Sequence, residues 1–169
     1  MLITRRELFY IPSLYAPKGM RAAVYHRYGP PEAVRIQDVP RPVPKDNEVL
    51  VRVRASTVCA ADWRCRKADP YVVRIMNGLF KPKKMPILGM EFSGTVESVG
   101  KSVTRFRHGD EVFGGTGFKL GCHAEYVCVE EDKGVAVKPS NIPLEEEPWT
   151  SSKWNICACA TGRRWRCAT

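Results

Sequence analysis

The chain of 169 residues is 44% hydrophobic and 27% charged, the balance of a globular protein long enough to bury a core without disulfides or metal. Its charge-free stretches are too short and polar to span a bilayer, and thirteen prolines with thirteen glycines point to short elements and turns, excluding coiled coil, collagen and helical bundle. The net charge of +9 sits mostly at the ends: residues 1–19 carry +2 (Arg5, Arg6 and Lys18 against Glu7), residues 148–169 carry +4 (Lys153, Arg163, Arg164, Arg166), and residues 20–147 carry only +3, so neither a nucleic-acid nor a membrane partner is expected of the body.

Residues 1–19 are basic and weakly amphipathic. They are expected to be a disordered extension, with Met20 a natural alternative start. An organellar address would need a higher density of serine and arginine, so the expected location is cytoplasmic. Seven cysteines, an odd number with no cleavable signal before them, suggest free thiols in a reducing cytosol.

From Met20 the text reads as short strands. Arg21–His26 is a short β-type segment, Ala33–Asp38 alternates with a period of two, and Pro40, Pro42 and Pro44 then make an extended linker that cannot donate to a sheet. Glu48–Ala55 places Val49, Val51 and Val53 on one face and Leu50, Arg52 and Arg54 on the other. Residues 60–80 fit either a short helix or a packed surface loop, followed by a solvated Lys81-Pro82-Lys83-Lys84 connector. Ile87–Val99 reads as a strand with glycines at 89 and 94 marking bends or close approaches. A turn at 106–110 leads into a strand, Gly114, Gly115 and Gly117 suggest a flexible loop, and Ala124–Glu130 and Lys133–Lys138 close the series. Six or seven such strands argue for a small closed or nearly closed β structure. The last stretch, 148–169, has three of four tryptophans, three of seven cysteines and no useful hydrophobic period; no fold is expected of it.

The ordered matches EVLVRVRAS, CAAD, PILGMEFSGTVESVGKSVTRFRHGDEVFG and AEYVCVEEDKGVAVKPSNI resemble the medium-chain dehydrogenase/reductase superfamily, and within it the zinc-independent quinone oxidoreductase branch. The resemblance covers Met20 to Glu147. It implies a mainly β fold, a GroES-like β-barrel with short helices, which in full-length members precedes a Rossmann domain holding NADP(H) or NAD(H). Nothing after Leu144 supplies the strand, glycine-rich turn and helix of that domain. Pro148 breaks the expected helical continuation, and the change in composition there suggests a frameshift or alternative exon. The expected organisation is therefore an extension (1–19), a GroES-like domain (20–147) and an atypical tail (148–169).

The resemblance also places candidate site residues. Zinc-dependent relatives bind metal through a cysteine in C-x-x-D and a histidine in G-H-E. Here Cys59-Ala60-Ala61-Asp62 fits the first motif, but the second reads Gly89-Met90-Glu91. A thioether is a poor zinc ligand, and no four-cysteine structural lobe follows, so no zinc is expected. Cys59 and Asp62 are the candidate cleft-lining catalytic residues, and Cys59, Ala61 and Asp62 the candidate cofactor-binding ones. Asp62 reads alternatively as a helix N-cap for a segment starting at Trp63, and Cys59 as a packed core residue. His108 reads as a solvated turn residue; His123 is better placed but lacks a partner carboxylate or nucleophile.

The implied reaction is hydride transfer from NADPH to a quinone or enone, with the chemistry supplied by the cofactor. The 169-residue chain alone is expected to bind no cofactor and to be inert. The alternative is a non-catalytic interaction module that forms a homo-oligomer or joins a full-length sibling. A metal or nucleic-acid role for the Arg/Trp/Cys tail is a weaker third.

Overall fold

The computed structural model describes residues 19–83, 86–139 and 157–159. Two strands, β1 (Gly19–Tyr25) and β2 (Val34–Pro40), form an antiparallel pair in register from Gly19↔Pro40 to Tyr25↔Val34. The larger sheet is built on β3 (Glu48–Thr57), with β4 (Glu91–Val99), β5 (Glu111–Gly115), β6 (Tyr126–Glu130) and β7 (Val135–Val137) in the order β6-β3-β4-β5-β7, every pair antiparallel.

The alternation read from the sequence sets this sheet. Val49, Val51 and Val53 turn inward with Phe92, Val96 and Val112 as the main core, while Arg52 and Arg54 point to solvent. Each buried aliphatic or aromatic side chain contributes roughly 1.5–3 kcal/mol of transfer free energy, so these six alone outweigh any surface contact in the chain. Beyond Arg54 the alternation stops: Ala55, Ser56 and Thr57 are all buried, because both faces of the sheet are covered there.

A closed barrel is not what forms. Among the described residues the larger sheet is an open path with β6 and β7 at its ends, and β1–β2 is a separate sheet. The joint between the two sheets consists of isolated pairs, Ala22↔Ala124 and Val24↔Ile87, with backbone bonds such as Ala23 N–H to the His123 carbonyl. Continuous pairing fails at this joint because the segment before β6 is bent by positive φ at Gly117, Leu120 and Gly121. On the other side, β2 runs out into prolines that have no N–H to give.

Three further readings change. The uncertain stretch 60–80 contains two short helices, α1 (Ala60–Lys67) and α2 (Val72–Asn77). Gly114 and Gly115 are not a loop but the end of β5, paired with Phe92 and Glu91. Glycine is needed at 114 because a Cβ there would lie 1.8 Å from the Gly134 carbonyl oxygen. Finally, residues Cys157–Cys159 of the tail form a strand, β8, antiparallel to Ala55–Thr57 of β3, just past the point where β6 stops pairing at Arg52↔Tyr126. Most of the expected extension and tail, and the boundary at 147, lie outside the described residues.

Candidate functional site

The polar end of β3 organises the site. Ser56 donates from Oγ to the Glu91 carbonyl at 2.7 Å, and Thr57 from Oγ1 to the Glu91 carboxylate at 2.6 Å. The chain stays extended at Cys59 (φ −113°, ψ 175°) and then winds into α1. Asp62, only 2% exposed, is the third residue of that helix and not the cap before Trp63. Its Oδ2 accepts the Cys59 N–H and its Oδ1 the Gly89 N–H, both at 2.8 Å. The first bond satisfies an amide that the helix leaves unpaired at its start; the second ties the helix to the strand-entry segment before β4. Cationic Arg64, Arg66 and Lys67 occupy the last turn, where they complement the helix dipole.

Gly89 has φ +95°, and a Cβ there would sit 2.6 Å from both the backbone nitrogen and Cδ2 of His123. Glycine at this point satisfies conformation and space together. The turn delivers Met90 so that its Sδ lies 3.8 Å from the Cys59 Sγ, which donates its S–H to the thioether. His123 donates from Nε2 to the Thr57 carbonyl at 3.0 Å. Thr116 closes the back of the site, its N–H bonded to the Met90 carbonyl at 2.7 Å and its Oγ1 3.5 Å from the Cys122 Sγ.

Burial, reinforced by the nearby Asp62 carboxylate, pushes the Cys59 thiol above its usual value, against the pull of the Asp62 and Ala61 backbone amides. Burial pushes the Cys122 thiol up to about 12. Both are therefore neutral thiols at physiological pH, and neither is an activated nucleophile.

Cys59, Ala61 and Asp62 do come together at one helix start. Cys59 and Ala61 are half-buried at the surface of the site, whereas both oxygens of Asp62 are engaged by backbone amides. His108 is elsewhere, exposed, with Nδ1 bonded to the Glu97 carbonyl. The Ser56–Thr57–Glu91 linkage was not anticipated; the polar pair that ends the alternation of β3 was its only sequence signal. Among the described residues, no three His, Cys, Asp or Glu side chains converge as a metal site, and the sulfur beside Cys59 is a thioether that suits zinc poorly. A concavity of about 440 Å³ lies at the sheet joint, lined by Met20, Val24, Val39, Ile87, Tyr126 and Cys128 among others. It is almost wholly apolar and lacks the converging polar groups found at Cys59, which is why the latter is the better chemical candidate.

Residues 45–140 match the alcohol dehydrogenase GroES-like domain. The quinone oxidoreductase of Sus scrofa is 34% identical over 130 residues, which cover 76% of this chain and 36% of that protein. Among solved structures, the quinone oxidoreductase from Coxiella burnetii superposes with a TM-score of 0.67 at 30% identity, over 75% of this chain and 39% of its own. The Escherichia coli quinone oxidoreductase complexed with NADPH superposes with a TM-score of 0.59 at 25% identity, over 75% of this chain and 35% of its own. This chain spans between about a fifth and just over a third of the length of the curated relatives it matches. With a match across more than half of its residues and a site assembled on the same segments, the chain belongs to the alcohol dehydrogenase GroES-like domain family, within the medium-chain dehydrogenase/reductase superfamily.

Proposed function

We propose that this chain is the substrate-side domain of an NADP(H)- or NAD(H)-dependent, zinc-independent reductase of quinones or enones, and that the 169 residues alone are catalytically incomplete. The observation that carries the reading is the Cys59–Met90 sulfur pair at 3.8 Å: where the zinc-dependent relatives set a histidine beside the cysteine, this chain has a thioether, a poor zinc ligand. The residues fit a nicotinamide-facing wall in character: a neutral thiol, a thioether and the small Ala61 make a surface that excludes water without adding charge. The nicotinamide supplies the hydride when bound.

What this chain contributes is orientation. Asp62 sets the position of Cys59 relative to Gly89, and so of Met90. The Thr57–Glu91 bond fixes the end of β3 against β4 at the same place. Asp62 acts through these neighbours, as a positioning residue. A reducing, cytoplasmic setting, in which the cysteines stay free thiols, is part of the same proposal.

The test is a chimera in which residues 20–139 replace the matching segment of the pig quinone oxidoreductase. It should oxidise NADPH with quinone or enone acceptors, with no loss on chelator treatment. The 169-residue chain should show no turnover above a no-enzyme control. A folded, NADPH-binding chimera inert toward both acceptor classes would overturn the substrate reading; turnover by the short chain would overturn the incompleteness. A second reading, a non-catalytic interaction module, draws on the apolar face of α2.

A further inference from the structure

Helix α2 is amphipathic in the wrong direction. Its polar residue Asn77 is fully buried and donates from Nδ2 to the Tyr25 hydroxyl at 2.7 Å. The Arg74 guanidinium lies over the rings of Tyr28 and Tyr71, 5.0 and 5.3 Å from their centroids. Outward go Val72, Ile75 and Met76, with Ile75 69% exposed. An ordinary surface helix does the reverse.

The apolar face continues past the helix. Gly78, at φ +135°, turns the chain, and a Cβ there would lie 2.3 Å from the Lys81 carbonyl oxygen. The Tyr28 hydroxyl donates to the Gly78 carbonyl at 2.7 Å and fixes that turn. Leu79 and Phe80 follow, the latter 87% exposed. Together with Tyr71 they bring to six the large exposed apolar residues within positions 71–80, on a backbone tied down from beneath.

Charge identifies what such a face fits. Residues 60–84 carry seven Lys or Arg against two Asp, net +5, while the rest of residues 20–147 nets −2. Of the two acids, Asp62 is buried on backbone amides and Asp69 faces Lys67 at 3.9 Å. Among the described residues no acid lies within ion-pair distance of Arg64, Lys81 or Lys83, which flank the apolar run in sequence. An apolar centre with charged flanks is the layout of a protein interface, and the one-signed flanks select the opposite charge on the partner. We propose that the face formed by α2 and residues 79–83 docks an acidic, apolar-bearing segment of a partner protein. This deepens the interaction-module reading and needs no cofactor, so it stands or falls separately from the reductase proposal.

The experiment uses the full chain and two fluorescent peptides, LEELFEEL and its basic counterpart LKKLFKKL, read by anisotropy at low and high salt. The acidic peptide should bind, more weakly as salt rises, and the basic one should not. The double variants Ile75→Ser/Phe80→Ser and Lys81→Glu/Lys83→Glu alter exposed side chains and should leave the circular dichroism unchanged. Each should weaken acidic-peptide binding about tenfold or more, and the charge variant should also remove the salt dependence. Equal binding by wild type and both variants, or no preference for the acidic peptide, would overturn the proposal. So would binding to phosphatidylserine vesicles without peptide binding, which would assign the face to a lipid surface. Concentration-dependent dimerisation abolished by Ile75→Ser/Phe80→Ser, with no peptide binding, would assign it to a second copy and equally overturn it.

Discussion

The sheet built on β3 and the α1–α2 segment solve the same problem by opposite means. In the sheet, valines and Phe92 go in and arginines go out, so hydrophobic burial dominates, with the Ser56 and Thr57 bonds to Glu91 added at one end. In the α1–α2 segment polar groups go in. Asp62 binds two backbone amides, Asn77 binds the Tyr25 hydroxyl, and Arg66 donates to the Gly29 carbonyl, while Ile75, Met76 and Phe80 face water. The lesson is about what each region is free to do. A region secured from below by directional bonds can present an apolar surface without collapsing onto it, whereas the sheet secured by apolar burial exposes large apolar side chains only at strand ends, Val99 and Val137.

If that contrast is right, the largest effect should come from the sheet core. Phe92 is fully buried in the main cluster, and Phe92→Ala should remove about 3–5 kcal/mol. Thermal melting and hydrogen exchange would read this as loss of the entire fold, including α1 and α2. A melt that leaves the sheet amides protected would mean that the sheet does not depend on this cluster.

The next effect tests the polar attachment. Asp62→Asn keeps the shape but replaces a carboxylate accepting two N–H bonds with an amide that can present only one oxygen. Hydrogen bonds to charged groups contribute about 1.5–3 kcal/mol each, so a loss of about 2 kcal/mol is expected. Its signature should be local: exchange should accelerate at the Cys59 and Gly89 amides more than at Val51 or Val96. Uniform acceleration would show that the segment is simply part of the core and would erase the contrast.

The two regions also differed in how far they could be read from sequence. The inward face of β3 was legible from Val49, Val51 and Val53, because burial on one side of a strand leaves a period of two. The Cys59–Met90 juxtaposition was legible only through family resemblance, in the replacement of histidine within Gly89-Met90-Glu91. The open sheet was not legible, since closure depends on how Leu120 and Gly121 turn before β6 and not on any strand's own pattern. Nor was Gly114, whose requirement comes from the carbonyl of Gly134 across a strand pair. The alternative reading of Asp62 as an N-cap fails because Cys59, an uncommon residue for that position, caps the helix three residues earlier. Asn77 was missed because its partner, Tyr25, is 52 positions away. Apolar patterning is written locally; a polar tether is written in two distant places.

The smallest effect sharpens the contrast from the sheet's side. Glu130 on β6 makes a surface contact there, paired with Lys119 and with Lys133 at 2.8 Å. Hydrogen bonds and charge from these two lysines bring the Glu130 carboxyl down to about 2. A depressed carboxylate adds stability that is fully present above its unfolded value, near pH 4.5, and is lost as pH falls toward 2. Comparing wild type with Glu130→Gln, the melting temperatures should therefore differ most at neutral pH and converge between pH 4.5 and 2. Because the pair is solvent-facing, added salt should shrink even the neutral-pH difference. A gap that persists in high salt, or that rivals the effect of Asp62→Asn, would show that this sheet too leans on directional polar bonds, and the division between the two regions would have to be abandoned.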